Sequence, residues 1–136
     1  MAKDIKKNCV FCKVANGGAI TPIRFEDKDI IAVDNTNPEA PVHVVVMTKK
    51  HISSLAEAKD KNKELLGKVL LVCRDVAKKM NIDEMGYRVV TNIGKWGGQS
   101  IPHLHFHVLG GVPLSEKVGL SIEEEIPEPR TKIAKK

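Results

Sequence analysis

The chain has 136 residues, of which 42% are hydrophobic and 29% charged, and its formal net charge is +5. A chain of this length usually folds as one domain whose core needs neither disulfides nor a metal for its bulk stability. No apolar run approaches the roughly 20 residues of a membrane span, and the opening MAKDIKKN lacks the apolar stretch of a signal peptide. We therefore expect a globular protein that does not interact with membranes.

The positive charge is spread too thinly to predict a nucleic-acid-binding surface. Residues 1–8 have a net charge of +2, residues 113–136 are neutral overall, and the remaining +3 is distributed over residues 9–112. Aromatic residues make up 4% of the chain, too few for a platform on which the bases of a single strand could stack. We expect no nucleic-acid partner.

The three cysteines are an odd number, without any sign of secretion. This pattern is typical of reduced thiols and predicts a cytoplasmic protein.

The first elements in chain order are a short helix and two strands. Residues 9–18, CVFCKVANGG, are predicted to form a short helix that ends at Gly17 and Gly18, because glycine adopts the left-handed conformation that ends helices. Residues 30–33 and 42–47 are rich in β-branched side chains and are predicted to be strands. The intervening DNTNPEAP, with two prolines and several turn-forming residues, is predicted to be a loop.

Residues 57–80 carry the longest helical pattern of apolar side chains. The residues that recur at helical spacing are Leu65, Leu66, Val69, Leu70, Cys73, Val76 and Met80. A helix with one apolar face is predicted to cover one face of a sheet. Cys73 lies on that face, so we expect a buried thiol in the core.

Two more strands are predicted at residues 87–92 and 103–109, on either side of the turn GKWGGQS. A Gly-rich turn of this length favours antiparallel neighbours. Beyond Gly111 the apolar pattern fades, which predicts a partly ordered tail. The order of elements predicts an α+β domain with a helix on one sheet face.

Three histidines alternate in HLHFHVL, at His103, His105 and His107. Because strand side chains point alternately to opposite faces, the three imidazoles should share one face, and Leu104, Phe106 and Val108 should face the other way. A single strand histidine is often structural, but three in register predict a functional site. A metal site is one candidate for such a row.

The segment Gly97-Gly98-Gln99-Ser100 precedes the histidine row. Two glycines allow backbone N–H groups to approach an anion, and Ser100 adds a hydroxyl donor, although the same residues also suit a plain turn. Together with the histidines, this segment favours a phosphate-binding pocket.

The segment GGQSIPHLHFHVLGG closely resembles the signature of the histidine triad (HIT) superfamily, His-x-His-x-His followed by two apolar residues. The similarity continues through NCVFCKV, FEDKDIIAVDNTNPEAPVHVVVMTKKHI, the long helix and YRVVTNIG. The LGG ending is similar to the histidine-triad nucleotide-binding (Hint) branch. The fragile-histidine-triad branch, which cleaves dinucleoside polyphosphates, typically has Pro-Arg at that point. We therefore divide the chain into a basic arm at 1–8, a HIT domain at 9–111 and a partly ordered tail at 112–136.

The resemblance implies a fold and an activity. The fold would be a five-stranded antiparallel sheet with one long and one short helix, and two subunits of a homodimer would form one continuous sheet. The activity would be that of a purine-nucleotide hydrolase that cleaves the P–N bond of nucleoside phosphoramidates, such as AMP joined to an amine, through a nucleotidyl-histidine intermediate. Ligands of this class include AMP, GMP and acyl-nucleotides, and no organic cofactor is implied. The alternatives are a dinucleoside polyphosphate hydrolase and a nucleotide-binding regulatory protein with incidental turnover.

The resemblance also implies roles for individual residues. His105 would be the nucleophile, a neutral imidazole whose other ring N–H is held by a main-chain carbonyl. His107 and His43 would bind or protonate phosphate oxygens, assisted by Ser100. The full set of implied nucleotide-binding residues is Val10, Phe11 and Val14 at the base, Asp34 at the ribose hydroxyls, and Asn92, Gly98, Gln99, Ser100, His105 and His107 at the phosphate.

A second site involves Cys9 and Cys12, whose CxxC spacing is found in zinc sites, in redox sites and by chance. In superfamily members that carry CxxC, the two cysteines bind zinc with the histidine of the segment that reads KKHI here and with the first triad histidine. The resemblance therefore implies the ligands Cys9, Cys12, His51 and His103, a closed tetrahedral set that is typical of structural zinc. The alternative is a metal-free chain in which His103 forms hydrogen bonds within the triad region.

Overall fold

The computed structural model of this chain describes residues 6 and 8–119. Nearly all of the predicted basic arm, residues 1–8, and most of the predicted tail, residues 112–136, lie outside the described residues. The elements in chain order are α1 (Val10–Lys13), β1 (Ile23–Glu26), β2 (Ile30–Asp34), β3 (Val42–Thr48), α2 (Lys63–Lys79), β4 (Tyr87–Val90) and β5 (His105–Gly110).

The five strands form one antiparallel sheet in the order β1-β2-β3-β5-β4. The predicted α+β class, the five-stranded antiparallel sheet and the antiparallel pairing of the last two strands are therefore confirmed. Strand β3 lies at the centre of the sheet, between β2 and β5. The triad strand consequently adjoins the central strand.

Strand alternation divides the sheet into two faces with different contents. On one face, α2 packs on a core that includes Ala32, Val46, Phe106 and Val108. On the other face, a smaller cluster joins Ile31, Val33, Val45 and Met47 to Ala15, which follows α1. Because Val45 and Met47 pair with His107 and His105 across β3 and β5, the two histidines belong to this second face. The predicted division between histidines and apolar residues is confirmed.

The helix α2 supplies the larger core, as its apolar pattern predicted, except that Leu70 lies outside the core and is 52% exposed. Its buried residues include Val69, Val72 and Val76. Cys73 is also buried, and burial raises the pKa of its thiol to about 12, so this cysteine is a core thiol.

Several boundaries differ from the predicted ones. The long helix begins at Lys63 and not at residue 57, because residues 55–57 and 60–62 form separate 3-10 turns. The buried side chain of Asn62 accepts a hydrogen bond from the backbone N–H of Lys59, at 2.9 Å, and holds the chain in this irregular path. The first triad residue, His103, precedes β5 and is not part of it.

Two smaller differences concern the N-terminal half. The short helix α1 continues as a π-helical turn over Val14–Gly18, and Gly17 ends it with a φ of +95°, as predicted for a helix stop. Strand β1 was not predicted from the sequence. It is an edge strand in which Ile23 and Phe25 alternate with Arg24 and Glu26, but its four residues are the minimum length at which this pattern indicates a strand.

Within the part of the chain that the structure describes, no helix is long and apolar enough to cross a bilayer.

The two methionines Met47 and Met85 provide a matched test of the smaller apolar cluster on the histidine face. Met47 is 0% exposed, whereas Met85 is 98% exposed. We expect Met47→Ala to lower the free energy of unfolding by about 2–5 kcal/mol, because it removes a buried side chain and leaves a cavity, and Met85→Ala to change it by less than about 0.5 kcal/mol. Urea denaturation measures both values, and equal effects of the two variants would contradict this packing.

Candidate functional site

The central histidine of the row is fixed through one ring nitrogen. His105 is buried, and its Nδ1–H donates a hydrogen bond to the carbonyl oxygen of His103 at 2.6 Å. This bond places the proton on Nδ1 and leaves a lone pair on Nε2. Burial lowers the pKa of His105 below its ordinary value of 6.5, so the ring is neutral near pH 7. A neutral imidazole with a free Nε2 lone pair can act as a nucleophile.

His43 and His107 form a hydrogen-bonded pair beside this ring. The Nδ1 of His43 accepts a hydrogen bond from the backbone N–H of Glu39 at 3.0 Å, so the proton of the neutral His43 ring lies on Nε2. His43 Nε2–H then donates to His107 Nδ1 at 2.8 Å. It follows that neutral His107 carries its own proton on Nε2, where it is available to a ligand.

Burial keeps both members of the pair neutral. It lowers the pKa of His107 to about 4, with smaller contributions from His105 and His43. Burial also lowers the pKa of His43, against the charge of Glu39, which raises it. The site therefore offers neutral N–H donors and not imidazolium cations near pH 7.

His105 and His107 border a cavity of about 570 Å³, a volume typical of small-molecule sites. Val10, Phe11 and Val14 supply apolar side chains to the same cavity. The structure thus brings together the residues predicted for the base and most of those predicted for the phosphate. The complete lining is Val10, Phe11, Lys13, Val14, Gly18, Ile20, Thr21, Val33, Asp34, Asn35, Thr36, Asn37, Glu39, Val45, Asn92, Gly98, Ser100, Ile101, His105 and His107.

Gln99, which the sequence analysis assigned to nucleotide binding, does not line this cavity. Its side chain donates to the carbonyl oxygens of Ser53 and Ile101 at 2.7 and 2.9 Å, and its backbone N–H donates to the carbonyl oxygen of Gly94 at 3.1 Å. Gln99 therefore holds the shape of the turn.

The glycines of the same turn are required by its backbone path. A Cβ atom at Gly97 would clash with the carbonyl oxygen of Ile93, and Gly98 has a φ of +83°. The backbone N–H of Gly98 donates to the carbonyl oxygen of Lys95 at 3.2 Å. Both this N–H and that of Gln99 are thus used within the turn. The hydroxyl of Ser100 remains as the donor that this turn places at the cavity.

The predicted ribose residue, Asp34, lines the cavity, but its carboxylate is held by a side chain from β1. Asp34 pairs with Val44 across β2 and β3, and Val44 belongs to the core beneath α2. Its carboxylate accepts two hydrogen bonds from Arg24, at 2.8 and 2.6 Å. Sequence reasoning missed Arg24, which lies at a shift in the register between β1 and β2. Neither its charge nor its spacing distinguishes it from other surface arginines.

The second cluster joins Cys9, Cys12, His51 and His103, whose potential ligand atoms all lie within 4.8 Å of one another. Cys9 Sγ lies 3.3 Å from His103 Nδ1, and Cys12 Sγ lies 3.3 Å from His51 Nδ1. Within the described part of the chain, these four residues form a group with the composition of a metal site. The structure therefore brings together all four predicted ligands in a cluster that could hold a metal ion.

The ring of His103 is oriented for this cluster by its other nitrogen. His103 is 0% exposed, and its Nε2–H donates to the carbonyl oxygen of Thr48 at 2.6 Å, which leaves the Nδ1 lone pair directed at the two thiols. A backbone carbonyl in this position is the usual partner that fixes the tautomer of a metal-binding histidine. Burial lowers the pKa of His103 to about 4, which favours the neutral form that ligation requires.

The cluster and the nucleophile are linked through two contacts. The carbonyl oxygen of His103 accepts from His105 Nδ1–H, while its ring faces the thiols. Phe11, which lies in α1 between the two cysteines, packs edge-on against His105 with ring centroids 4.8 Å apart. Movement of α1 or of His103 would therefore move the ring of His105.

A family model and two relatives are similar to most of this chain. The family model described as "Scavenger mRNA decapping enzyme C-term binding" matches residues 8–118. An uncharacterized HIT-like protein of Buchnera aphidicola is 40% identical over 107 residues, which is 79% of this chain and 96% of that protein. Protein HitA of Neisseria gonorrhoeae is 37% identical over 103 residues, 76% of this chain and 95% of that protein.

Solved structures of HIT proteins are also similar to this chain. A histidine triad protein from Clostridium difficile has a TM-score of 0.80 and 37% identity, covering 83% of this chain and 98% of its own. A HIT family hydrolase from Clostridium thermocellum has a TM-score of 0.80 and 40% identity, over the same shares of the two chains.

The protonation pattern of the His43–His107 pair can be measured directly. At about pH 5.5 an ordinary histidine is roughly 90% protonated, whereas His107 should remain neutral with its proton on Nε2, because its pKa is about 4. Since the folded state resists protonation, the free energy of unfolding should decrease as the pH falls from about 6.5 towards 4. Long-range ¹H–¹⁵N spectra distinguish the tautomers, with the urea-unfolded chain as the protonated control. An imidazolium signal from folded His107 at that pH would contradict the pattern.

Proposed function

The chain belongs to the histidine triad superfamily, and on that premise we propose that it hydrolyses the P–N bond of purine nucleoside phosphoramidates through a nucleotidyl-histidine intermediate. The observation that carries this proposal is the buried, neutral His105. Its Nδ1–H is held by a main-chain carbonyl, and its ring borders a cavity that is also lined by the apolar residues Val10, Phe11 and Val14. A homodimer and a cytoplasmic location remain predictions from the sequence.

In the proposed first step, the lone pair of His105 Nε2 attacks the α-phosphorus. The bridging nitrogen takes up one proton from the solvent, the phosphorus–nitrogen bond breaks, and the electron pair leaves with the nitrogen of the neutral amine. Because Nδ1 keeps its proton, the hydrogen bond to the carbonyl oxygen of His103 stabilises the positive charge that develops on the ring. The product of this step is a nucleotide joined to His105.

In the second step, water attacks the same phosphorus and releases the nucleoside monophosphate. The oxygen of water stays on phosphorus, the water returns one proton to the solvent, and His105 returns to its neutral form. His107 Nε2–H and the Ser100 hydroxyl are the groups that we assign to the phosphoryl oxygens in both steps. His43 fixes the tautomer of His107 from behind.

We also propose that Cys9, Cys12, His51 and His103 bind a structural zinc ion. Tetrahedral zinc with Zn–S near 2.3 Å and Zn–N near 2.0–2.1 Å requires S–N separations of about 3.5 Å. The sulfur–nitrogen pairs of the cluster lie at 3.3, 3.3 and 3.6 Å. The donor set, two thiols and two imidazoles, fits zinc, and a bound ion would supply a cross-link between α1 and the triad strand.

Replacement of the nucleophile tests the activity. His105→Asn keeps an N–H near the position of Nδ1, and so keeps a donor for the His103 carbonyl, but it has no nucleophilic nitrogen. We expect this variant to lose at least about 10³-fold in kcat on a fluorogenic adenosine phosphoramidate while it still binds AMP. A variant with more than about a tenth of wild-type kcat would contradict covalent catalysis by His105.

The wild-type protein tests the two alternative functions. Cleavage of diadenosine polyphosphates, and not of the phosphoramidate, would support the dinucleoside polyphosphate hydrolase. AMP binding without turnover of either substrate would support a nucleotide-binding regulatory protein.

Elemental analysis tests the zinc proposal. Purified protein should hold about one zinc per chain, and Cys12→Ser should lose most of it and lower the melting temperature by about 10 °C or more, because the site joins α1 to the triad strand. Cys73→Ala is the matched control, since it removes the remaining cysteine, which lies in the core beneath α2, and should keep the zinc. Wild-type protein with no zinc and with Cys9 and Cys12 both titrating as free thiols would refute the proposal.

A further inference from the structure

The turn that precedes the histidine row is tied to the rest of the molecule by one side chain. Residues 93–98 are all exposed, so packing does little to fix their path, whereas Gln99, which follows them, is half-buried. Among the hydrogen bonds of the described residues, only the one from the Gln99 side chain to Ser53 joins residues 93–100 to the chain outside residues 92–101. The position of the turn therefore depends on Gln99.

The amide of Gln99 uses both of its hydrogens and its oxygen. The two Nε2–H groups donate to the carbonyl oxygens of Ser53 and Ile101, at 2.7 and 2.9 Å. Oε1 accepts a hydrogen bond from the backbone N–H of Gly94 at 2.9 Å, which closes the turn. A carboxylate has no hydrogens for the two carbonyl oxygens, and an apolar side chain has no polar atom for any of the three partners. The arrangement therefore requires an amide.

The bond from Gln99 to Ile101 encloses the residue between them. The backbone of Ser100 lies inside the ring that this hydrogen bond closes, so its conformation is restrained although Ser100 is itself exposed. Ser100 lines the cavity with His105 and His107, whereas Gln99 does not. Gln99 therefore acts on the cavity through the residues that it holds.

The same carbonyl oxygen links Gln99 to the backbone that holds the His105 ring. The carbonyl oxygen of Ile101 also accepts a hydrogen bond from the backbone N–H of His103 at 2.8 Å. His103 in turn accepts the hydrogen bond from His105 Nδ1–H. The hydroxyl of Ser100 and the ring of His105 are thus attached to one short piece of backbone, and Gln99 anchors this piece to Ser53.

On the basis of the proposed function, we propose that Gln99 is a positioning residue, which serves the reaction by holding Ser100 and does not touch the substrate. Its anchor on Ser53 sets the place of the Ser100 hydroxyl relative to His105, so that the hydroxyl meets a phosphoryl oxygen during the attack. A donor that is held in place before the reaction needs no reorganisation as charge develops. Without the anchor, the exposed turn adopts other conformations and the hydroxyl contributes less.

A double-mutant cycle between Gln99 and Ser100 tests this role. Gln99→Met keeps the length of the side chain and removes its amide. We expect Ser100→Ala to lower kcat/KM on the adenosine phosphoramidate by about tenfold to hundredfold, as the loss of one donor to a charged oxygen does. Gln99→Met should lower it by about tenfold in the wild type, but by less than about twofold when Ser100 is already alanine, because the two residues act as one unit.

Thr91→Val is the matched control for the cycle. The Thr91 hydroxyl donates to the carbonyl oxygen of His105 at 2.7 Å, so this variant also removes a side-chain hydrogen bond to the backbone near the site, but not one that encloses Ser100. Its effect on kcat/KM should be the same, within about twofold, with serine or alanine at position 100. Equal losses from Gln99→Met in the two backgrounds would show a merely structural role and would overturn the inference.

A measurement on the wild-type protein needs no variant to fold. Gln99 is the only glutamine in the chain, so selective ¹⁵N labelling of glutamine shows its side-chain amide alone. Because both hydrogens are bonded to carbonyl oxygens, we expect each to exchange with solvent at least about tenfold more slowly than those of a free glutamine amide. Exchange of both hydrogens at the free rate would also overturn the inference.

The same cycle on binding separates this inference from the proposed function. Dissociation constants of AMP, measured by calorimetry on the four proteins of the cycle, report the coupling of Gln99 to Ser100 at the phosphate without turnover. Coupling in AMP binding without any turnover would refute the phosphoramidase alone. Turnover without coupling in either measurement would refute the role of Gln99 alone.

Discussion

The hydrogen bond from His105 Nδ1–H to the carbonyl oxygen of His103, 2.6 Å long, is the contact on which the rest of the site depends. It determines which nitrogen of His105 has a lone pair, and it is available only because the chain turns at His103 before β5 begins. The ring of His103 is held in turn by the carbonyl oxygen of Thr48 and faces the two thiols. One backbone carbonyl thus connects the candidate metal cluster to the ring of His105, and α1, although far away in sequence, contacts both through Cys12 and Phe11.

The two sheet faces separate stability from chemistry. The face under α2 is filled with aliphatic residues and provides most of the buried core. The opposite face carries a smaller apolar cluster, the histidines and the cavity, and α1 covers only part of it. Alternate residues of β5 face opposite sides of the sheet, so the residues that pack beneath α2 lie next to His105 and His107 in the same strand. The packing of β5 against β3 and α2 therefore holds these two histidines on a rigid strand.

The fold class, the face that carries the triad and the four-residue cluster could be predicted from the sequence, because period-2 alternation and the family signature are local patterns. Side-chain contacts with residues distant in the sequence could not be predicted in this way. Asp34, the residue predicted for ribose, does line the cavity, but no pattern in the sequence indicated its pairing with Arg24, which a shift in register between β1 and β2 brings to it. Gln99 was predicted from a phosphate-loop pattern, yet it supports the turn through carbonyls that include that of Ser53, 46 residues away. Strand β1 does alternate apolar and polar residues, but it has only four residues, the minimum length at which this pattern indicates a strand.

The central claim, covalent catalysis by His105, is tested most directly by trapping the intermediate. Wild-type protein is mixed with an adenosine phosphoramidate, quenched at high pH within the first turnover, digested and sequenced by mass spectrometry, since phosphoimidazole bonds survive base. The account predicts one adenylylated peptide, modified at His105, that disappears when turnover is complete. Adenylylation of another residue, or single-turnover cleavage with no modified peptide at any time, would contradict it.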